Sequence, residues 1–272
     1  MIFVIQDVSV SGVNLLMNDY VAGLPSPLSF LGFGDALMRE FELEPWKART
    51  IPILHNVMPS EGRTKPEMEN KSGTFMPVET MENFVGYVQL SLIIDLPGCD
   101  SAVKLKDSVI HKRIAGGTIQ NDDIRVEAVT PDGSAFRKIR RGYALLRPDK
   151  QSDGYLQIST GSEESLATIA HKVFPTDREP ASGWYVPVSA GYKILEDPAS
   201  VPKRIRTRNQ EIPHVFAEPI LGMAEIVSVR NSRLTSMTEE GLDALFWQWS
   251  TQGDYVLGHV NYMPDSNNQE EN

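Results

Sequence analysis

The sequence predicts an α+β fold, and three observations carry that prediction. Phe84–Asp95 (FVGYVQLSLIID) alternates apolar and polar residues, the period of a half-buried strand. Ser101–Ile114 spaces Val103, Val109 and Ile110 as one side of a helix. From Met1 to about Val129 the elements run strand, helix, strand, strand, helix, strand. That is the ferredoxin-like βαββαβ order, also used by RNA-recognition (RRM-like) domains.

Each element has its own reason. Ile2–Val10 alternates and reads as a strand, not as a signal peptide, because it lacks a basic start and a long apolar run. Pro25 and Pro27 lead into a helix over Leu28–Phe41, with Phe30, Phe33, Leu37 and Phe41 at helical spacing; Gly32 and Gly34 weaken it. Thr50–Val57 is a short β-branched run. Met58–Met81 is rich in Pro, Gly, Glu and Lys and reads as a long loop or insertion. Gly116-Gly117 is expected to end the second helix. Ile124–Val129 is a strand, with a turn at Pro131-Asp132-Gly133. Further on, Glu163–Val173 reads as a helix and Gly183–Tyr192 as a strand with an edge or bulge at Pro187. His214–Val229 is a long apolar run broken by Pro219 and Gly222. A helix over Glu239–Ser250 carries Leu242, Leu245, Phe246 and Trp249, and Tyr255–Tyr262 is a last strand. The expected division is a core at 1–130 with an insertion near 58–81, a β-rich portion at 131–264, and a disordered acidic tail at 265–272.

At 272 residues the chain is long enough to bury a core without staples. Its single cysteine, Cys99, excludes an intramolecular disulfide and fits a reducing, cytoplasmic setting. No apolar run reaches the ~20 residues of a membrane helix. The net charge of −10 argues against a general nucleic-acid binder. The positive charge is nonetheless gathered into three stretches, which hold thirteen of the 26 Lys and Arg residues. The first is Lys104, Lys106, Lys112 and Arg113. The second is Arg137, Lys138, Arg140, Arg141 and Arg147, and the third is Lys203, Arg204, Arg206 and Arg208. One such cluster reads as a solvated face. Three in an acidic chain favour an anionic ligand, because a phosphate chain senses local potential.

The five histidines (His55, His111, His171, His214, His259) are scattered, and no Walker A, G-x-S-x-G, H-E-x-x-H or zinc spacing is present. No metal, cofactor or catalytic constellation is expected. His111–Thr118 (HKRIAGGT) offers two readings. Exposed backbone N–H groups at Gly116, Gly117 and Thr118, beside Arg113, would cradle a phosphate. A plain glycine C-cap with basic residues at the helix end is the better account on residue types alone. Phe136–Tyr143 (FRKIRRGY) mixes cations that fork onto phosphate with aromatics that stack on bases. Lys203–Asn209 has a similar character. Trp184, Trp247 and Trp249 have the faces for stacking, although core packing is the commoner fate of Trp.

Together these stretches resemble one family, the Csy-two (Cas-five-type) subunit of type I-F CRISPR surveillance complexes. Pro25–Leu37 (PSPLSFLGFGDAL) is similar to its proline-led F-L-G-F segment, and His111–Ile119 to its basic A-G-G-T-I motif. Arg140–Leu146 (RRGYALL), Gly183–Tyr192 (GWYVPVSAGY), Pro213–Glu225 and Leu245–Trp249 (LFWQW) resemble later family segments in the same order. His214 stands where the family has an aromatic, the chain is shorter than expected, and Met58–Met81 matches poorly.

The resemblance implies a ferredoxin-like core with an inserted arm. It implies a non-catalytic subunit that binds the 5′ handle of the crRNA and caps the backbone filament. The implied partners are a large, Cas-eight-type subunit as heterodimer, the first Cas-seven-type backbone subunit, and target DNA nearby. Arg113, Gly116, Gly117, Thr118, Arg137, Arg140 and Arg141 are the RNA-binding candidates, with Lys203, Arg204, Arg206 and Arg208 behind them. Other Cas-five relatives cut precursor crRNA without metal, which makes His111, Lys112 and Tyr143 the candidates for an alternative, endoribonuclease reading. A protein-interaction domain with no RNA affinity is the third reading.

Overall fold

The structure, a computed structural model, describes residues 1–17, 22–60, 68–77, 84–148, 170–171, 173–175, 184–204, 207 and 212–258. Few helices and one large antiparallel sheet make it an α+β fold. The first half comprises β1 (Ile2–Asn14), α1 (Pro27–Glu40), β2 (Arg49–Pro59), β3 (Met68–Lys71), β4 (Thr74–Pro77), β5 (Val85–Asp95) and α2 (Ala102–Val109). The short strands β6 (Arg113–Ile114), β7 (Gly117–Ile119) and β8 (Arg125–Ala128) follow. Then come α3 (Ser134–Lys138), β9 (Tyr143–Leu146), β10 (Trp184–Ile194), β11 (Ala217–Ser228), α4 (Ser232–Thr235) and α5 (Glu239–Asp243). The described chain closes with β12 (Trp247–Gln248), β13 (Ser250–Gln252) and β14 (Tyr255–Leu257).

Twelve of these strands form one sheet in the order β13-β14-β10-β11-β9-β2-β5-β1-β7-β6, with β12 beside β2 and β8 beside β1. In the first half, β1 lies between β5 and β8, and β2 lies outside β5, every pairing antiparallel. Strands β9, β11, β10 and β14 continue the same sheet beyond β2.

Alternation along the strands sorts the core into two faces. On one face Phe3, Ile5, Val8 and Val10 of β1 and Leu90, Leu92 and Ile94 of β5 pack against α1 and α2. On the other, Val4, Ile51, Ile53 and Ile93 are covered by Phe136, Ile139, Leu234, Leu242 and Phe246 from α3 to α5 and their flanks. Helix α1 reaches further along the sheet, where Leu28 and Leu31 meet Leu145, Val188, Ala224 and Trp247. Ser26 caps α1 by accepting from the Leu28 N–H, and its hydroxyl donates to the Ser189 carbonyl at 2.7 Å. Gly34 suits that helix because a Cβ there would stand 2.7 Å from the Ala48 Cβ.

Several sequence expectations change. The helix expected over Ser101–Ile114 stops at Val109; Val103 is 73% exposed, and Leu105 fills the buried position instead. Arg113–Thr118 is a β-hairpin, not a helix end. Ala115 and Gly116 carry φ of 49° and 80°, so both central residues are left-handed, as a type I′ turn requires. The helix expected over Glu239–Ser250 ends at Asp243, because Trp247 pairs with Thr50 as a strand. Within Met58–Met81, β2 runs on to Pro59 and β3–β4 form a hairpin; 61–67 and 78–81 lie outside the described residues. The expected bulge near Pro187 falls between Ser189 and Gly191, and β14 pairs only with Gly191–Lys193, leaving that side of β10 open at Pro187. Most of the helix expected over Glu163–Val173, the end of the last strand and the acidic tail lie outside the described residues.

Candidate nucleic-acid interface

The cover over the second sheet face stops part-way along β1, β5 and β2. Beyond it, pairing register places two rows of side chains on that face. One row is Arg113, Thr118, Ser11, Tyr87 and Met58. The next is Ser9, Gln89 and Asn56. Arg113, Thr118, Ser11, Asn56 and Met58 are exposed, and Ser9, Tyr87 and Gln89 are half-buried. The chain has 36 Asp and Glu residues, yet these eight positions hold no carboxylate and one arginine. Such a surface repels a phosphate chain less than the rest of the molecule does.

A polar boundary separates the open rows from the covered core. Asp7 interrupts β1 at a register shift, with φ of 61°. Its carboxylate accepts from Arg140 Nε at 2.9 Å and from the Arg125 guanidinium. Burial pulls its pKa up, but hydrogen bonds and charge from Arg125 and Arg140 outweigh that and hold it below the ordinary value. Asn121 satisfies β1 backbone left open by the shift, accepting from the Ser9 N–H at 2.9 Å and donating to the Asp7 carbonyl at 2.8 Å. His55, at the matching irregularity in β2, has Nδ1 2.9 Å from the Arg141 carbonyl and Nε2 2.7 Å from Ser91 Oγ. The carbonyl is an acceptor only, so Nδ1 carries the proton and Nε2 accepts from Ser91. Burial first, then the Arg140 charge, lowers the His55 pKa against the opposing pull of the Arg141 carbonyl and Asp7. Gly142 is required at this junction, because a Cβ would lie 2.5 Å from His55 Nδ1 and 2.9 Å from the Leu54 carbonyl oxygen.

The structure places Arg113 of the first basic cluster and Arg140 and Arg141 of the second beside the open rows. It turns the rest of the first cluster to the α1/α2 face and leaves the third cluster apart. Arg113 and Thr118 face each other across the hairpin, and Arg140 and Arg141 lie at the boundary. Both Arg113 and Arg141 are exposed, and no ion pair reaches them among the described residues. Gly116 is exposed at the turn, whereas Gly117 is buried against β1, where a Cβ would stand 2.8 Å from the Ser11 carbonyl oxygen. Arg137 is exposed on α3, and Lys138 pairs with Glu127 at 3.0 Å. Lys112 turns to the other face and pairs with Glu40 of α1. Lys203 and Arg204 follow β10, five strands from β1, roughly 24 Å along the sheet at ~4.8 Å per strand. Arg204 Nη2 reaches both Glu196 oxygens at 2.6 Å, Nε donates to the His214 carbonyl at 2.9 Å, and the guanidinium lies 4.2 Å from the Phe216 ring centroid. That fork fastens the β10–β11 connection. Arg206 and Arg208 lie outside the described residues.

His111 and Lys112 adjoin β6, and Tyr143 begins β9, again five strands away. The trio of the endoribonuclease reading is therefore not gathered at one place. Trp247 is buried and donates to the Leu145 carbonyl at 2.9 Å, Trp249 meets Trp46 edge-on at 5.6 Å, and Trp184 is 59% exposed. Sequence reasoning overlooked Ser9, Ser11, Asn56, Tyr87 and Gln89. The signal was present in the strand of Phe84–Asp95, where Tyr87 and Gln89 occupy the polar phase before Ser91 and Ile93.

Comparison with known families bears on the second half. Residues 147–257 match the family model described as CRISPR-associated protein (Cas_Csy2). Over that stretch the chain is similar to the Csy2 family. This agrees with the resemblance read from motifs, of which G-W-Y-V-P, P-H-V-F-A-E and L-F-W-Q-W lie inside the matched stretch. A-G-G-T-I and R-R-G-Y-A-L-L lie N-terminal to it. No curated protein matches the chain. Among the described residues, no helix is long and apolar enough to cross a membrane.

Proposed function

We propose that this chain is a non-catalytic subunit of a type I-F CRISPR surveillance complex that binds the 5′ handle of the crRNA. In this reading it caps the backbone filament, together with a Cas-eight-type large subunit and against a Cas-seven-type backbone subunit, close to target DNA. The family match over 147–257 carries the reading. The carboxylate-free sheet face beside Arg113, Arg140 and Arg141 supports RNA as the ligand. The strand order β2-β5-β1-β8, with α1 and α2 on one face, supports a ferredoxin-like core with residues 1–130 as the RNA-binding portion and 131–264 packed beside it. Arg113, Thr118, Arg140 and Arg141 supply phosphate contacts, with the exposed Gly116 turn, Gly117 and Arg137 beside them. Lys203, Arg204, Arg206 and Arg208 are the weaker candidates, for contact with the large subunit or target DNA instead.

A gel-shift titration of the full chain with repeat-derived RNA tests this. Affinity falls as salt rises, by roughly 0.7 log units per log unit of salt for each single-strand phosphate contact. Equal affinity for random RNA, or insensitivity to salt, counts against handle binding. Cleavage of the RNA by the chain alone, lost in His111→Ala, replaces this reading with the endoribonuclease one.

A further inference from the structure

We propose that the open half of the sheet is a stacking platform for unpaired RNA, with Tyr87 under a base and Arg113 and Arg141 on flanking phosphates. The inference rests on RNA being the ligand and deepens that reading by naming where, and in what form, the RNA is held. Tyr87 sits between Ser11 on β1 and Met58 on β2, with Thr118 beyond Ser11. Serine and threonine are short, and Met58 is soft and 48% exposed, so nothing in the row rises over the ring. Two residues further along β5, Gln89 faces Asn56 across the strand pair and Ser9 on the other side. Two neighbouring amides offer both donors and acceptors, as the edge of an unpaired base demands.

Charge decides the class of occupant. The rows hold no carboxylate, Arg113 stands at one end, and Arg141 stands at the boundary. Asp7 pairs with both Arg125 and Arg140, and Asp123 and Glu127 act on Arg125 as well, so the cations left over beside the rows are Arg113 and Arg141. The local balance is positive in a chain of net charge −10. An apolar protein partner would find only Met58 and Tyr87 to bury. A duplex keeps its base faces stacked inside and has none to lay on Tyr87. Unpaired RNA offers base faces, base edges and phosphates together, the three things the surface can engage.

The test uses the full chain and a single-stranded, repeat-derived oligoribonucleotide carrying 4-thiouridine. Fluorescence anisotropy gives affinity, irradiation followed by peptide mapping gives the site, and thermal melting checks the fold. Tyr87→Ala should weaken binding by about five- to hundredfold, the range measured for single base–aromatic stacks, while Tyr87→Phe stays within about twofold. Crosslinks should fall on peptides of β1 or β5, and annealing a complementary strand should remove the dependence on residue 87. Gln89→Glu places a carboxylate on the platform without shortening the strand's side chains, and should also weaken binding. Wild-type affinity in a folded Tyr87→Ala or Gln89→Glu chain overturns the platform. If that chain still binds RNA with the expected salt dependence, handle binding itself survives. A wild-type chain that binds no RNA removes both.

Discussion

The same three strands are sealed at one end and open at the other, on a single face of the sheet. On β5, Ile93 and Ser91 are fully buried, while Gln89 and Tyr87, in the same alternating phase, reach solvent. On β2, Ile51 and Ile53 are buried and Asn56 and Met58 are exposed; on β1, Val4 is buried and Ser9 and Ser11 are not. The strands do not decide this difference. The cover decides it: α3 ends just before Arg140 and Arg141 lead into β9, while α5 ends by Arg49 at the far end of β2, and residue types change at the boundary from Ile and Val to Ser, Asn, Gln and Tyr. The boundary is polar because the Ile5/Val8 shift of β1 and the Leu54/Asn56 shift of β2 both fall on it, and the first leaves backbone groups that Asn121 satisfies.

The comparison breaks most severely if the cover is removed. Phe136 is fully buried in the cluster over Val4, Ile53 and Ile93. Phe136→Ala should cost about 3–5 kcal/mol in urea denaturation, from lost burial plus the cavity left behind. Tyr87→Ala, on the open half, should cost less than about 1 kcal/mol. Equal losses would mean that the open half is as well packed as the covered one.

Next in size is the pair of adjacent glycines at the β6–β7 hairpin. Gly117 has no room: a Cβ would meet the Ser11 carbonyl oxygen at 2.8 Å and the Val13 nitrogen at 2.9 Å. Gly116 has free space around it but a φ of 80°. Gly117→Val should cost about 1–3 kcal/mol through overpacking, whereas Gly116→Ala should cost roughly 1–2 kcal/mol through its left-handed backbone alone. If Gly117→Val melts like wild type, β7 does not sit against β1 as described.

These glycines also show what the sequence could and could not reveal. Alternation made β1 and β5 readable and a β-branched run made β2 readable, because a strand's signal lies within the strand itself. The hairpin was misread because Gly-Gly after a helical run fits a C-cap as well as a turn. Only Arg113 facing Thr118 and Thr118 facing Ser11 decide between them, and those contacts are long-range. Trp247 and Trp249 were misplaced for a related reason: L-F-W-Q-W is helical in period, but Trp247 gains a carbonyl partner on β9 that a helix would deny it. Of the candidate site, the arginines were visible from charge alone. The open rows were not, since a serine or glutamine in a strand does not say whether a helix covers it.

A smaller effect sits at the boundary. The fold favours neutral His55, so its pKa lies below the ordinary 6.5. Between those two values the unfolded chain binds the proton and the folded chain does not. His55 therefore contributes stability above about pH 6.5 that is lost progressively as acid takes the pH below it. Thermal midpoints measured from pH 7.5 down to about pH 5.5 should fall for the wild type and change less for His55→Gln. A wild-type midpoint constant over that window would show that the ring is as free to charge in the fold as out of it.

The least effect on stability, and the sharpest on function, is expected for Arg140→Ala with Arg141→Ala. Arg140 gives up an exposed pairing with Asp7, and Asp7 keeps Arg125. Exposed ion pairs are worth about 0–1 kcal/mol, and the Arg141 carbonyl that holds His55 is backbone and remains. The double variant should melt close to wild type. Its RNA affinity should fall, and the slope of log affinity against log salt should flatten by roughly 1.4, two single-strand phosphate contacts at about 0.7 each. Flattening by about half that value would assign the phosphate to Arg141 alone and leave Arg140 to order Asp7. A variant that folds normally and keeps both affinity and slope makes the boundary arginines a solvated rim, and the open rows would then have to hold RNA through Arg113 and stacking alone.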